Sequence, residues 1–156
     1  DYNKMSIKVR SNDGESFDLT ENECNLSKYL KNTVAEGKTD IYLSEIKADI
    51  LSKIVKYLNY YADKEYPELP ETLKSNDLKA EINEWDFSFI DPFTFENTFH
   101  LINAADSLEL NHLYNLACLK IAAFMKGKSP TEVNEEFTIE CQLTPEQAKM
   151  LGLDSS

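Results

Sequence analysis

The spacing of the apolar residues changes along this chain, and that change constrains its fold class. Between residues 6 and 19, apolar and polar residues alternate in two short runs that Asn12-Asp13-Gly14 separates. An Asp-Gly turn between alternating runs predicts a β-hairpin. After residue 20 most apolar residues recur at the intervals of an amphipathic helix. The chain is therefore predicted to be an α+β protein, mostly helical, with about three N-terminal strands.

The remaining elements are predicted from the same spacing and from capping residues. A capping box at Thr20–Glu23 begins a helix that ends near Thr33, with Tyr29 on its apolar side. A third strand follows over residues 41–43. Residues 62–83, which contain two prolines and many acids, are predicted to be a mobile or loosely helical connection, a loop insertion within one domain. Helices are predicted over residues 46–61, from about Pro92 or Thr94 to Ser107, and over residues 108–125, 130–137 and 145–151.

Charge and apolar run length exclude several classes of function. The 156 residues include 28 acids and 16 bases, and the net charge of −12 argues against a nucleic-acid binder. The acidity either keeps the protein soluble or steers it towards a basic partner surface. No apolar run approaches the roughly 20 residues of a membrane helix. Residues 1–8 have no apolar signal-peptide core, so we expect neither membrane association nor secretion.

The residue types that carry catalysis or metal binding are few and scattered. Cys24, Cys118 and Cys141 form no Cys-x-x-Cys pair and are interpreted as reduced thiols of a cytoplasmic or nuclear protein. His100 and His112 lack the spacing of metal ligands and are interpreted as solvated or capping residues. The four glycines are isolated, so no phosphate-binding loop is predicted. We expect no enzyme, no metal and no cofactor, and we interpret the chain as an interaction module.

Several motifs become recognisable when their order and spacing are considered together. Residues 6–17 read S-I-K-V-R-S-N-D-G-E-S-F, residues 48–57 A-D-I-L-S-K-I-V-K-Y, and residues 85–89 W-D-F-S-F. Residues 99–105 read F-H-L-I-N-A-A, and residues 125–133 read M-K-G-K-S-P-T-E-V. This series resembles the S-phase kinase-associated (Skp) family, the adaptors of Skp–cullin–F-box ubiquitin ligases. The last motif is the most specific, because it is similar almost position for position to the family's M-I-K-G-K-T-P-E-E-I.

The resemblance, which covers about residues 6–150, implies a particular architecture. It implies a BTB/POZ-type fold over residues 1–110, with three strands and packed helices. A C-terminal helical extension over residues 111–156 would bind an F-box. The related elongin C adaptors usually end near the position of residues 108–110, so the extension favours the Skp side.

The resemblance also implies two partners. The helix that ends at Ser107 would face a cullin, with Asn103 and Asp106 on the same edge. The last helices would hold an F-box protein, or an F-box-like one, through an apolar groove, and a homodimer through the BTB-like face is a further expectation. For each residue of this groove, the alternative is that it belongs to the ordinary core of the chain. The candidates later in the sequence favour the interface interpretation. The groove candidates are Leu116, Ile121, Phe124, Met125, Val133, Phe137 and Ile139.

The chain departs from the family pattern at the cullin-facing edge and at its C-terminal end. Asp106-Ser107 stands where the family usually has Asn-Tyr, and Asn103 replaces a usual leucine. Loss of the family's tyrosine ring removes a typical interface anchor, so weaker cullin binding is predicted. If the change at positions 106-107 is what abolished cullin binding, restoring Asn-Tyr at these positions should rescue it. The chain ends at Ser156 without the family's Asn-Gln-Trp-Cys segment, which predicts weaker or reshaped F-box capture. The alternative function is a Skp-like structural subunit that holds an F-box-like protein without a cullin.

One modification site follows from the resemblance alone. Leu143-Thr144-Pro145-Glu146 resembles an F-T-P-E stretch whose proline is hydroxylated and glycosylated in some protist members of the family. The alternative interpretation is a proline at the first position of a helix, where proline is favoured. An intact-mass measurement of native protein tests the modification, because it would add oxygen or sugar.

Overall fold

The computed structural model describes residues 6–129 together with residues 131, 132 and 135. The elements in chain order are β1 (Ser6–Arg10), β2 (Ser16–Thr20), α1 (Glu21–Cys24), α2 (Lys28–Ala35), β3 (Asp40–Tyr42), α3 (Ala48–Tyr61), α4 (Leu78–Glu81), α5 (Glu84–Ile90), α6 (Phe95–Leu108) and α7 (Asn111–Met125). They group into two compact units. One contains the described residues up to Pro67 with His100–Tyr114, and the other contains Glu68–Phe99 with the described residues from Asn115 onward. The division at residue 110 stays a prediction.

Three strands form one sheet in the first unit. Their order is β2-β1-β3, with β1 antiparallel to β2 and parallel to β3. Alternate residues of β1 are buried, as expected for a strand that covers a core on one face. The predicted hairpin is confirmed, and the predicted third strand is present one residue earlier than expected. Buried sheet residues are Ile7, Val9, Leu19 and Ile41.

The hairpin turn also caps a helix. Gly14 has a φ of 95°, a conformation that glycine adopts without steric cost. The preceding Asp13 carboxylate accepts hydrogen bonds from the Ser11 hydroxyl at 2.5 Å and from the Ala48 N–H at 3.0 Å. Lys47, at the N-cap of α3, makes no side-chain cap bond of its own. The turn between β1 and β2 therefore supplies the acceptor that the first turn of α3 needs.

Removing this cap should change both stability and its dependence on pH. Asp13→Ala is expected to lower the thermal midpoint of unfolding, because the Ala48 N–H loses its acceptor. The hydrogen bond from Ser11 holds the pKa of Asp13 below its ordinary value. The carboxylate therefore stabilises the fold above its unfolded-state pKa of about 3.9, and that contribution is lost as the pH falls through the lower folded value.

Asp13→Asn separates these two effects, because it retains an acceptor but does not titrate. Its free energy of unfolding should fall less between about pH 4 and pH 2 than that of the unsubstituted chain. Denaturant unfolding at a series of pH values measures the difference. Equal slopes for the two proteins in this range would contradict the assignment.

The single helix predicted from residue 21 to Thr33 is wrong, because the chain breaks it at Ser27. The buried Ser27 hydroxyl accepts a hydrogen bond from the Leu30 N–H at 3.0 Å and so begins α2. The same hydroxyl donates to the Leu108 carbonyl at 2.5 Å, a partner 81 positions away. The helix cap and the buried long-range hydrogen bond together stabilise the folded chain more than one further turn of regular helix would.

The capping box predicted at Thr20–Glu23 is confirmed, and so is the one that the Ser-Pro-Thr-Glu sequence of residues 129–132 predicts. The similar Thr-Pro-Glu-Gln sequence of residues 144–147, for which a cap is also predicted, lies outside the described residues. At the first, the Glu23 N–H donates to the Thr20 hydroxyl at 3.2 Å, and the Thr20 N–H donates to the Glu23 carboxylate at 2.8 Å. At the second, Ser129 and Glu132 make the same two bonds at 3.2 Å each. Gly127, with a φ of 87°, lies two residues after Met125, the last residue of α7, as expected of a glycine that ends a helix. Residues 131, 132 and 135 are helical, in agreement with the helix predicted there.

α3 is the most strongly amphipathic helix, as its period predicts. This helix of 14 residues lies within the predicted range of residues 46–61. It begins two residues later than predicted. One face is buried throughout, and it supplies much of the core of the first unit. The residues of this face are Ile50, Leu51, Ile54, Tyr57, Leu58 and Tyr61.

α6 ends one residue later than predicted, and α7 begins three residues later than predicted. α6 continues through Leu108, and Glu109 then adopts a left-handed φ of 57°. The Leu110 N–H donates to the Ala105 carbonyl at 2.9 Å, which closes the end of α6. Leu108 therefore belongs to α6 and not to α7, because a left-handed residue cannot continue the helix.

Residues 62–83 contain more order than the predicted loop. α4 lies within them, and both Leu73 and Leu78 are buried. The Glu81 carboxylate accepts hydrogen bonds from the backbone N–H groups of Lys74 and Ser75, at 2.7 Å each. These bonds also hold the pKa of Glu81 below its ordinary value. The segment therefore has local anchors, and its mobility stays a prediction.

Candidate functional site

One candidate surface is an exposed stripe on α6. Asn103, Asp106 and Ser107 are all exposed, and their spacing puts them on one side of the helix. The predicted edge residues therefore lie together. The other side of this part of α6 is buried through Leu101, Ala104, Ala105 and Leu108.

A pocket of about 260 Å³ opens beside Ser107. We call it the edge pocket, and it is lined by residues that include Tyr29, Tyr42, Leu43, Glu45, Ile46 and Ser107. Leu43 and Ile46 are buried and form an apolar part of its wall. The Ser107 hydroxyl donates to the Glu45 carboxylate at 3.4 Å, which is long for a hydrogen bond between oxygens. The edge pocket therefore combines aromatic, aliphatic and anionic groups.

Sequence reasoning missed the two tyrosines of the edge pocket. Tyr29 is 39% exposed, although it was predicted to lie on an apolar helix side. That prediction is wrong because a new helix begins after Ser27. The direction in which Tyr29 points is therefore set by α2 and not by a continuous helix from residue 21. Tyr42 is 60% exposed because it lies on β3 next to Ile41, which is buried. The inward-outward alternation of a short strand was the signal that could have predicted its exposure.

The second candidate surface is the C-terminal end of α7. Leu116 and Ile121 are 0% and 3% exposed, whereas Phe124 and Met125 are only partly buried. Leu116 and Ile121 therefore pack inside the chain, which was the alternative left open for them. Of the other predicted groove residues, Val133, Phe137 and Ile139 lie outside the described residues, and so does Pro145.

Phe124 lines a partly apolar groove in the second unit. The groove has a volume of about 340 Å³, and Phe87 and Phe95 also line it. The ring centroids of Phe95 and Phe124 are 3.5 Å apart, and Lys128 Nζ lies 3.1 Å from the Phe124 ring centroid. Lys120, on the groove wall, donates to the Asp91 carbonyl at 3.1 Å. Asp77 and Asp91 line the groove as well, so aromatic rings are combined with charges of both signs, which is suited to protein contacts.

The side chains of His112 and Cys24 take part in the packing of the first unit. His112 is partly buried, with Nδ1 at 2.8 Å from the Tyr57 hydroxyl and with the Tyr66 ring stacked on it at 4.3 Å between centroids. The expectation of a solvated or capping His112 is therefore wrong. Burial raises the pKa of the Cys24 thiol to about 11, so it is protonated at neutral pH and a poor nucleophile.

Two kinds of feature are absent from the part of the chain that the structure describes. Within it, no three His, Cys, Asp or Glu side chains are grouped so that they could hold a metal ion. No helix there combines the length and the apolar character that crossing a membrane requires.

Comparison with known proteins gives matches at both ends of the chain. Residues 5–63 match the tetramerisation domain of the Skp1 family, and residues 111–152 match its dimerisation domain. An S-phase kinase-associated protein 1 homolog of Tetrahymena thermophila is 31% identical over 94% of this chain and 90% of its own length. The chain belongs to the Skp1 family. In Arabidopsis thaliana, SKP1-like protein 18 is 31% identical over 96% of this chain and 94% of its own length, and SKP1-like protein 12 is 32% identical over 90% and 88%.

Membership of the Skp1 family confirms the fold class that the resemblance implies. The sheet and α1–α3 fall within the tetramerisation-domain match, and they have the strands and helices of a BTB/POZ-like fold. The edge pocket draws Tyr29, Tyr42 and Glu45 from this match. Phe124 and Met125 fall within the dimerisation-domain match. The edge pocket and the end of α7 therefore each include residues from one matched domain, whereas the α6 stripe lies between the two matches.

Proposed function

We propose that this chain is a non-catalytic adaptor of a Skp–cullin–F-box ubiquitin ligase. It would hold an F-box protein at the C-terminal end of α7 and in the segment that follows, and contact a cullin through the exposed stripe of α6. Membership of the Skp1 family supports the adaptor role. The observation that carries the proposal is the loss of burial along α7, from Leu116 to Phe124 and Met125.

The F-box half of the proposal is supported by the chemistry of the second surface. An F-box is an apolar helical motif, and an amphipathic helix binds by placing its apolar face in an apolar groove. Phe124 and Met125 retain exposed apolar surface that such a helix would bury. Val133, Phe137 and Ile139 are proposed to extend the same contact.

The cullin half is supported by the accessibility of the α6 edge. Asn103, Asp106 and Ser107 are exposed, so a partner can reach them without unfolding the chain. Asp106 adds to the net charge of −12, which favours a partner with a basic surface. We also propose a cytoplasmic or nuclear location, where the free thiols remain reduced. A homodimer through the BTB-like face stays a prediction.

Reconstitution from purified components tests the proposal. The chain, an F-box protein and the N-terminal domain of a cullin are mixed, and the complex is analysed by size-exclusion chromatography with light scattering. We expect a ternary complex of equal stoichiometry that persists when the salt is raised from about 0.15 M to 0.5 M. An unrelated acidic protein of similar net charge is the control for non-specific attraction.

The two halves of the proposal fail in different ways. A stable complex with the F-box protein alone would contradict the cullin linkage and favour a structural subunit that works without a cullin. Absence of both complexes would mean that the family fold persists here without the adaptor function.

A further inference from the structure

The edge pocket is lined by one acidic side chain, that of Glu45, and by no basic side chain. Across the part of the chain that the structure describes, Glu45 takes part in no ion pair. Its one side-chain contact is the long hydrogen bond from Ser107. The pocket therefore offers an anionic group whose charge is not compensated nearby.

The basic residue that lies opposite Tyr42 on the adjacent strand is already engaged. Arg10 lies opposite Tyr42 in the β1–β3 register. Its guanidinium makes two hydrogen bonds to the Asp40 carboxylate, at 2.8 and 2.9 Å. This bidentate pair raises the pKa of Arg10 and lowers that of Asp40, so both stay charged and bound to each other. Arg10 is therefore not available to neutralise Glu45.

The other walls of the edge pocket suit a long cationic side chain. Tyr29 and Tyr42 expose ring surface, and an aromatic face attracts a cation. Leu43 and Ile46 offer an aliphatic surface on which the methylene groups of such a side chain can pack. A guanidinium stacks on rings and pairs with a carboxylate in one plane, which an ammonium group cannot do. Arginine therefore fits these walls better than lysine.

We propose that the edge pocket receives an arginine side chain of the protein that docks on the α6 edge. The identity of that protein, a cullin, rests on the proposed function, whereas the chemistry of the pocket rests on the residues that line it. The small side chain of Ser107 keeps the pocket open, and a ring at this position would occupy the space. The exposed Asp106 next to it adds to the attraction for a basic surface.

A peptide titration tests the pocket without a cullin. The tripeptide acetyl-Gly-Arg-Gly-amide is added to the isotope-labelled chain, and amide chemical shifts are followed by NMR. We expect saturable shifts at Tyr42, Glu45 and Ser107, and no saturable shifts with the uncharged norleucine tripeptide. Glu45→Gln and Tyr42→Ala should each weaken the interaction about 3-fold or more. Equal responses to the two peptides, or an unchanged affinity in Glu45→Gln, would overturn the proposal.

Glu36→Gln is the matched control for the loss of a negative charge. Glu36 is exposed at the end of α2, lies 3.9 Å from Lys38 and does not line the edge pocket. Its substitution should leave the arginine peptide affinity unchanged. Because Glu45 and Tyr42 are also exposed, all three variants should retain the thermal midpoint of the unsubstituted chain.

Calorimetry with the N-terminal domain of a cullin tests the pocket in its proposed setting. Glu45→Gln should weaken cullin binding about 5-fold. Ser107→Tyr should also weaken it because the ring fills the pocket, which is the opposite of what the family pattern predicts for this position. Tighter binding in Ser107→Tyr with no change in Glu45→Gln would overturn the proposal and identify the missing ring as the deficit. If the unsubstituted chain binds no cullin, the cullin linkage fails by itself, and the peptide titration decides the chemistry of the pocket.

Discussion

Leu116→Ala is expected to lower the free energy of unfolding by about 2–5 kcal/mol. Leu116 is fully buried near the middle of α7, so the substitution removes apolar contacts and leaves a cavity. The surrounding structure relaxes only partly around such a cavity, which adds to the cost of the lost burial. This is the largest stability effect that we predict among the groove candidates of the sequence, of which Leu116 proves to be a core residue.

Denaturant unfolding measures this effect, and the neighbouring position provides a matched control. Asn115 is exposed on the same helix, so Asn115→Ala should change the free energy of unfolding by about 0.5 kcal/mol or less. Leu116→Ala with unchanged stability would contradict the assignment of this residue to the core. Loss of F-box binding in Leu116→Ala without loss of stability would instead place Leu116 in the interface.

Phe124→Ala is expected to weaken F-box binding by about 30-fold or more, the size of effect seen at interface hot spots. Its ring is partly exposed in the apolar groove, where it contacts Phe95 and lies under the ammonium group of Lys128. A partner helix would bury the exposed part of the ring. Because Phe124 is less buried than Leu116, its removal should cost less stability.

Calorimetric titration of the chain with an F-box protein measures this loss. Phe124→Leu preserves an apolar side chain and should recover much of the affinity, whereas Asn115→Ala should bind like the unsubstituted chain. Thermal unfolding of each variant shows how much of any loss comes from instability. Unchanged affinity in Phe124→Ala would mean that the F-box docks elsewhere.

Local sequence signals predicted the elements that depend on near neighbours. The capping boxes at Thr20–Glu23 and Ser129–Glu132 are formed within three residues, and the structure contains both. The period of α3 and the glycine after α7 are similarly local, because each depends on the spacing of a few adjacent residues. The stripe of Asn103, Asp106 and Ser107 follows from helical spacing alone.

Elements that depend on distant partners were predicted incorrectly or missed. The break between α1 and α2 is stabilised partly by a hydrogen bond from Ser27 to Leu108, which no local pattern encodes. The cap of α3 comes from Asp13, 35 positions before Ala48. The edge pocket joins Tyr29, Tyr42 and Ser107, which lie on three different elements.

The sequence by itself determined the fold class, the main helices and the family, because periodicity, capping residues and ordered motifs are properties of adjacent residues. Tertiary structure decided which apolar residues of α7 are core and which remain exposed. It also decided that Glu45 lies between exposed tyrosines without a cationic partner among the described residues. The physical reason is that burial and charge compensation depend on which surfaces meet after the chain folds, and helical spacing does not specify that.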